Sequence, residues 1–410
     1  MAAGYLARLA SDSQISKMAI FAKKLYFTSE DDRNRIISGE IVEAIANSTD
    51  RFAALASDFV PFIFIAKHDS HEQVKERFQT TWSDNVGGSR TVLLYLPEIV
   101  DLASSYLEST RHVVKQTSAL AIAGAVTLCG KDIGLSNADK IWPALDKAVG
   151  GKSWEGKEIV LKAFVLFAQN EQRFWRNDSK IADHMQKIIY REAKRQNAIY
   201  RPFALESLGC FSEVRDDVDM SQAVYDIVAP IIDELIDTDR MVIDSDTGSA
   251  GFPSTTRLNE TTIAQGIKAL FRSVNPRQIQ GPDIIPILAQ ILQKTEQASS
   301  EKSTTIYNAI LDGEITLFEK LGSDSRVSIV ISNDLEKILV GFSEGLFQLI
   351  EATEPVRQKK ADCILALAKV SDAKPVLRSC LQQGIAAFRV RERSSSVQNT
   401  LDSAAKMLAT

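Results

Sequence analysis

Hydrophobic residues recur along this chain every three or four positions, which is the spacing of one face of a helix. In "NADKIWPALDKAV", residues 137–149, Ile141, Leu145 and Ala148 recur at intervals of four and three and so share one helical face. Similar segments, separated by short polar turns, dominate the chain. Because 410 residues contain only 11 prolines and 20 glycines, long helices with few breaks are expected. We therefore predict an all-α protein.

A longer repeat groups these helices into pairs. An amphipathic helix and a polar turn are followed by a basic residue that opens a second, more apolar helix. The candidate openers are Arg33, Lys75, Lys115, Lys157, Arg201, Arg257, Lys302 and Arg357. Their separations are 42, 40, 42, 44, 56, 45 and 55 residues, and helix pairs repeating every 40 to 47 residues or so are typical of HEAT proteins. Since one pair cannot bury its apolar face alone, we predict an α-α superhelix, a HEAT/armadillo-type solenoid of about eight helix pairs.

The stacked pairs need large apolar side chains between them. We assign to this core Val160, Phe164, Phe167, Ala204, Leu205 and Leu208. Trp82, Trp142, Trp154 and Trp175 fall close to predicted turns, where we expect them to lock helix pairs together.

Two long separations divide the array. The first contains residues 238–262, which are rich in Ser, Thr, Asp and Gly and predict a flexible loop between helices. We expect the first part of the solenoid over 1–237 and less regular HEAT-like repeats over 263–410, ending in a capping helix. The repeat register between 257 and 357 stays open.

Charge and cysteine content narrow the function classes. The net charge of −5 lacks the basic excess typical of nucleic-acid binders. Cys129, Cys210, Cys363 and Cys380 lie far apart in apolar or helical contexts, so reduced thiols and a cytoplasmic and nuclear location are expected. No signal peptide or membrane insertion is expected, because the apolar runs are too short.

Gly151-Lys152-Ser153 has the ending of a phosphate-binding P-loop. Such a loop needs a second glycine where this chain has Asp146, and it must follow a strand rather than the helical face of residues 137–149. We favour a turn in which Gly150 and Gly151 end one helix and Ser153 caps the next.

Other candidate chemistry is sparse. His68, Asp69 and His71 could begin a metal site, but no further ligands complete it, and a solvated turn is favoured. Ser89 in "VGGSRT" lacks the G-x-S-x-G elbow of hydrolases. We predict no enzyme, no catalytic, cofactor-binding or metal-binding residues, and no small-molecule substrate.

Residues 186–201, "QKIIYREAKRQNAIYR", interleave basic and aromatic side chains. Ile188, Ile189 and Ala193 give the stretch an apolar face. An ordinary solvated face is favoured, with an acidic protein partner second and single-stranded nucleic acid third.

Three segments carry a family resemblance. The Trp82-to-Arg90 loop with its two glycines and the turn from Trp154 to Glu158 are the most specific, and residues 191–214 add to them. Together they resemble the C-terminal part of the large HEAT-repeat proteasome adaptor and scaffold family, most clearly over about 55–235. Family members are several times longer than this chain.

The resemblance implies a non-catalytic scaffold that contacts the regulatory and core particles of the proteasome and supports their assembly or quality control. It identifies no individual binding residue, so the partner-binding positions are unknown. The alternative that we retain is a HEAT protein of the nuclear transport receptor type.

Overall fold

The computed structural model describes residues 2–48, 50–244, 253–275, 284–299, 303–323, 332–347, 353–370 and 374–409. Within these ranges every regular element is a helix, which confirms the all-α prediction. The chain divides into two compact units, Met1–Ile188 and Ile189–Thr410.

The first unit contains α1 to α12 and the start of α13. Their bounds are α1 Ala2–Leu9, α2 Asp12–Thr28, α3 Asp32–Ala46, α4 Arg51–Ala54, α5 Ala56–Ala66, α6 Glu72–Asn85, α7 Ser89–Leu94, α8 Leu96–Leu107, α9 His112–Cys129, α10 Leu135–Val149, α11 Lys157–Asn170, α12 Gln172–Trp175 and α13 Ser179–Ala193. The second unit continues with α14 Arg201–Val214, α15 Ser221–Asp244, α16 Pro253–Ser273, α17 Ile284–Ser299, α18 Thr304–Ser323, α19 Asn333–Phe347, α20 Glu354–Val370, α21 Pro375–Arg391 and α22 Ser395–Ala409.

The helices of each unit pack in two rows. We call α3, α6, α9 and α11 of the first unit and α14, α16, α18, α20 and α22 of the second the opener helices, because the predicted basic openers with described backbone lie in helices of this set. In the second unit α14, α16, α18, α20 and α22 pack each against the next, and α15, α17, α19 and α21 form the other row. In the first unit α3 packs on α6, and α9 on α11. This arrangement confirms a HEAT/armadillo-type solenoid.

The predicted core positions are buried. Val160, Phe164 and Phe167 are fully buried, as are Ala204, Leu205 and Leu208. Further aromatic residues fill the first unit, where the Phe62 ring lies 5.2 Å from Phe78 and 5.4 Å from Tyr26.

The tryptophans make contacts between elements. Trp154, in the turn before α11, stacks on His112 of α9 at 4.7 Å and lies 5.3 Å from the Nζ of Lys115. Trp175 is fully buried and donates its indole N–H to the carbonyl of Ala168. Trp142 lies in the middle of α10 rather than near a turn.

One stretch, His112–Asp132, has the length and apolar composition of a membrane-crossing helix among the described residues, and half of it is buried inside the protein. It includes α9, which packs against α8 and α11. These contacts are those of a core helix.

Helices occupy both ends of the predicted loop at 238–262. α15 continues to Asp244 and α16 begins at Pro253. Residues 245–252 lie outside the described residues, so a loop there stays a prediction. The compact units are divided within α13, not at this loop.

The first two helices leave large apolar side chains exposed: Tyr5, Leu6, Leu9, Ile20 and Phe21. A cavity of about 350 Å³ beside them is lined by Leu6, Lys17, Met18, Phe21 and Ile41. This end of the first unit is therefore apolar.

A buried ionic cluster ties the turn before α6 to α2 and α3. Asp69 accepts hydrogen bonds from the backbone N–H of His71 at 2.8 Å and the hydroxyl of Tyr26 at 2.6 Å. The Nε of Arg35 lies 3.3 Å from the same carboxylate. Arg33, predicted as the opener of α3, is exposed, and the buried base is Arg35, two residues later. Arg33 thus opens α3 as predicted, one residue after its start at Asp32, while the buried ion pair is made by Arg35.

We expect Arg35→Ala to destabilise the protein by about 3–5 kcal/mol, because it leaves the Asp69 carboxylate buried without its counter-ion. Arg33→Ala, on the same helix but exposed, is the matched control and should change stability by less than about 0.5 kcal/mol. Urea unfolding followed by circular dichroism measures both. Equal effects of the two variants would contradict the assignment of Arg35 as the counter-ion of the buried Asp69 carboxylate.

Candidate interaction surface

Opposite charges link neighbouring opener helices in the second unit. We call Glu213, Lys268, Arg272, Asp312, Lys320 and Lys359 the charge ladder. These side chains come from α14, α16, α18 and α20, and they are about one-third exposed or less. The ladder therefore lies along the solvent edge of the row of opener helices.

Two acidic residues each hold two bases. Asp312 on α18 accepts from Lys268 of α16 at 3.0 Å and from Lys359 of α20 at 2.7 Å. Burial alone raises the pKa of Asp312, but the two lysines outweigh it and hold that pKa below its usual value. Glu213 on α14 lies 3.9 Å from Arg272 and 3.7 Å from Lys320.

Neutral side chains extend the polar row to the last helix. Gln358 on α20 donates to the hydroxyl of Thr400 at 2.9 Å and accepts from the hydroxyl of Ser396 at 2.9 Å, both on α22. The row of opener helices thus presents a continuous polar edge from Glu213 to α22.

Carboxylates also bind the backbone at helix starts. Glu336 on α19 accepts the N–H groups of Val376 and Leu377, at 3.0 and 3.1 Å, in the first turn of α21. Glu392, in the turn before α22, accepts the N–H of Ser394 at 2.8 Å and the Nε of Arg357 at 2.8 Å. A negative charge is favourable at a helix N-terminus, so these contacts hold neighbouring helices in register.

Glu314 lies inside the same stack, on α18, and is buried. Burial raises its pKa to about 8, although nearby Lys360 opposes the shift. Lys360 on α20 is buried as well, with its Nζ 5.4 Å from the centre of the Tyr307 ring. Burial therefore favours the neutral, protonated form of Glu314.

The predicted metal candidates are used otherwise. Burial, with help from Lys67 and Lys75, lowers the pKa of His68 to about 4, so this imidazole is neutral and packs edge-on against Phe64. The carboxylate of Asp69 is occupied by the contacts already given. Among the described residues, no group of three or more His, Cys, Asp or Glu side chains is placed to hold a metal ion.

The GKS segment is the turn between α10 and α11. Gly151 has a positive φ of 75°, as expected after a helix end. Ser153 does not cap the next helix: α11 begins at Lys157, and Gly156, with φ of 95°, takes the cap position. A side chain at Gly156 would collide with Gln116, whose amide donates to the Glu155 carbonyl at 2.8 Å.

Other residues singled out from the sequence take structural places. Ser89 is the first residue of α7, directly after Gly87 and Gly88, both with positive φ. Cys129 and Cys363 are buried, Cys210 and Cys380 are half-buried, and all four are free thiols.

The basic stretch at 186–201 has the predicted apolar face, since Ile188, Ile189 and Ala193 are buried. Tyr200 is buried too and donates its hydroxyl to Glu192 at 3.1 Å. This contact removes one of the two rings that the nucleic-acid hypothesis needed for stacking.

Sequence reasoning did not identify the ladder. Its partners lie one repeat apart: Lys268 precedes Asp312 by 44 residues, and Asp312 precedes Lys359 by 47. Once the repeat register is known, the signal for these pairs is a basic and an acidic residue separated by one repeat. The ladder offers no chemistry, but it can select a partner by charge.

Two rows of stacked helices with a polar edge define a helical-repeat protein. The chain belongs to the family described as ECM29, C-terminal ARM-like repeats, whose model matches residues 168–407. The match includes the whole ladder, Glu336 and Glu392, and extends well beyond the region where the resemblance was clearest in the sequence.

Curated relatives match about half of the chain. Proteasome component ecm29 of Schizosaccharomyces pombe is 31% identical over 184 residues, which are 45% of this chain and 11% of that protein. Proteasome component ECM29 of Saccharomyces cerevisiae is 26% identical over 206 residues, 48% of the chain and 11% of that protein. Proteasome adapter and scaffold protein ECM29 of Homo sapiens is 24% identical over 247 residues, 56% of the chain and 13% of that protein.

The chain thus spans little more than a tenth of the length of these relatives. Among solved structures, importin beta in a polyethylene glycol condition aligns with a TM-score of 0.45 and 11% identity, covering 99% of this chain and 60% of that chain. At that score the alignment adds nothing to the argument on function.

Glu314 makes stability depend on pH. A carboxyl group with a pKa of about 8 when folded and about 4.3 when unfolded favours folding fully below pH 4.3, and that contribution is lost as pH rises to about 8. Glu314→Gln should therefore gain melting temperature relative to the wild type across this window. Glu319→Gln, exposed on the same helix, is the control and should follow the wild type. Parallel pH profiles for wild type and Glu314→Gln would contradict the assignment.

Proposed function

We propose that this chain is a non-catalytic adaptor that binds the proteasome. The family match over residues 168–407 supports the proposal most, because the relatives named above are a proteasome component or a proteasome adapter and scaffold protein. We propose further that it contacts both the regulatory and the core particle, and that it supports their assembly or quality control in the cytoplasm and nucleus.

The charge ladder is the surface that we assign to this contact. Its ion pairs are partly exposed, so each adds little to folding and can be exchanged for pairs with a partner. A scaffold needs no reacting group, since holding two bodies on one chain raises the effective concentration of each at the other. A repeat array can also flex between repeats and follow partners that change shape.

The full chain, carrying an affinity tag, is mixed with purified regulatory particle and core particle, separately and together. Capture of proteasome subunits, measured by quantitative mass spectrometry, is the expected result. Lys268→Met with Lys359→Met should reduce capture severalfold, because it removes two of the charges that the ladder offers to a partner. Lys337→Met, exposed on α19 in the other row, is the matched control and should bind like the wild type.

No capture of either particle by the wild-type chain would refute the proposed function. Equal capture by the ladder variant would refute only the assigned surface. Binding to a GTP-loaded small GTPase in place of the proteasome would favour the nuclear transport class instead.

A further inference from the structure

Two large apolar side chains stand exposed at the start of α14. Ile199 is 70% exposed and Phe203 is 46% exposed. The N–H of Arg201 donates to the carbonyl of Asn197 and that of Ala204 to Tyr200, so the chain turns helically from Asn197 onward. Residues four apart in such a turn lie on the same side. Ile199 and Phe203 therefore form one apolar patch.

The surrounding contacts hold this patch in place. The side-chain oxygen of Asn197 accepts the N–H groups of Ile199 at 3.1 Å and Tyr200 at 3.0 Å. Tyr200 and Arg201 are both buried. The hydroxyl of Tyr200 donates to Glu192, and the Nε of Arg201 donates to the Arg195 carbonyl at 3.2 Å. With Tyr200 and Arg201 anchored inward, Ile199 is turned outward. A fixed apolar group loses little conformational freedom when a partner binds it.

The charge around the patch is positive, against the sign of the whole chain. Residues 189–203 contain four basic residues and one acidic residue, whereas the chain carries −5. Arg191 and Arg195 both pair with the buried Glu192, the Nε of Arg191 at 3.0 Å, but Arg191 stays half-exposed and Lys194 is exposed. Glu206, exposed one turn beyond Phe203, marks the other end of the patch with a negative charge.

We propose that Ile199 and Phe203 dock a linear protein segment that carries acidic residues next to one apolar anchor. The anchor covers the Ile199–Phe203 pair, and the acidic residues lie toward Lys194 and Arg191, away from Glu206. Opposite charges at the rim of an apolar contact select the partner and its direction. A nucleic acid fits less well, because the exposed residues are an isoleucine and one phenylalanine, and the neighbouring tyrosine is buried. This site is independent of the proposed proteasome contact.

The test selects the partner chemistry without assuming a name. Random linear peptides displayed on phage are selected against the full 410-residue chain, and the most enriched peptide is synthesised with a fluorophore for anisotropy titration. Enriched peptides should combine Asp or Glu with a Leu, Phe or Trp. Ile199→Asp with Phe203→Ser should weaken binding by at least about tenfold. Lys194→Glu should weaken it severalfold, and more at low salt than at high salt.

Val390→Asp is the matched control, since Val390 is 86% exposed on α21 and lies outside the patch. It should bind the peptide like the wild type, and circular dichroism should show that every variant is folded. The proposal is overturned if no acidic-apolar peptide is enriched, or if the enriched peptides bind the double variant equally well. Binding to phosphatidylserine-containing vesicles that disappears in the double variant would overturn it in favour of a membrane surface.

Discussion

A pair of antiparallel helices in this chain cannot bury its apolar faces by itself, and only the next pair in the row removes them from water. The second unit shows the constraint at Phe342 on α19, whose ring lies 6.0 Å from Phe271 of α16 and 6.2 Å from Phe318 of α18. The rows also pack closely enough that a side chain at Gly313 would collide with Phe271. Each helix pair is therefore stable only when it packs against the neighbouring pairs.

This dependence explains where the charges lie. Two pairs with a buried carboxylate join an opener helix to the turn before the next opener helix at nearly the same separation: Arg35 with Asp69, where both partners are buried, and Arg357 with Glu392, where the arginine is one-third exposed. Burying an ion pair adds little net stability, but an alignment that separated its partners would be costly, so such pairs specify the register of neighbouring repeats. The ladder charges, by contrast, are partly hydrated and remain available to other molecules. One set of charged residues thus aligns neighbouring repeats, and a separate set is available to bind other molecules.

The sequence was sufficient for the fold class because helical periodicity and the repeat are local properties of the chain. Lys157, Arg201 and Arg357 were placed in the first turns of the right helices on that basis. It was insufficient where a distant residue decides the local structure. Ser153 has the composition of a helix cap, yet Gly156 takes that position where Gln116, 40 residues earlier, approaches the backbone.

The candidate surface was hidden for the same reason. A lysine and an aspartate 44 residues apart are unrelated until the two helices are known to be neighbours, as with Lys268 and Asp312. Ile199 is similar: its position in a basic stretch was visible in the sequence, but its exposure follows from the burial of Tyr200 beside it. The helices could therefore be predicted from the local sequence pattern, whereas the candidate surfaces depend on packing between distant residues.

The exposed apolar surface of α1 and α2 affects how this protein behaves during purification. Leu9, Ile20 and Phe21 offer an exposed apolar area to other molecules. Ammonium sulfate and similar salts, which strengthen apolar association, will promote self-association there, so dilute buffers without such salts suit the purified protein best. Hydrodynamic sizes of this protein are meaningful only with its concentration and buffer stated.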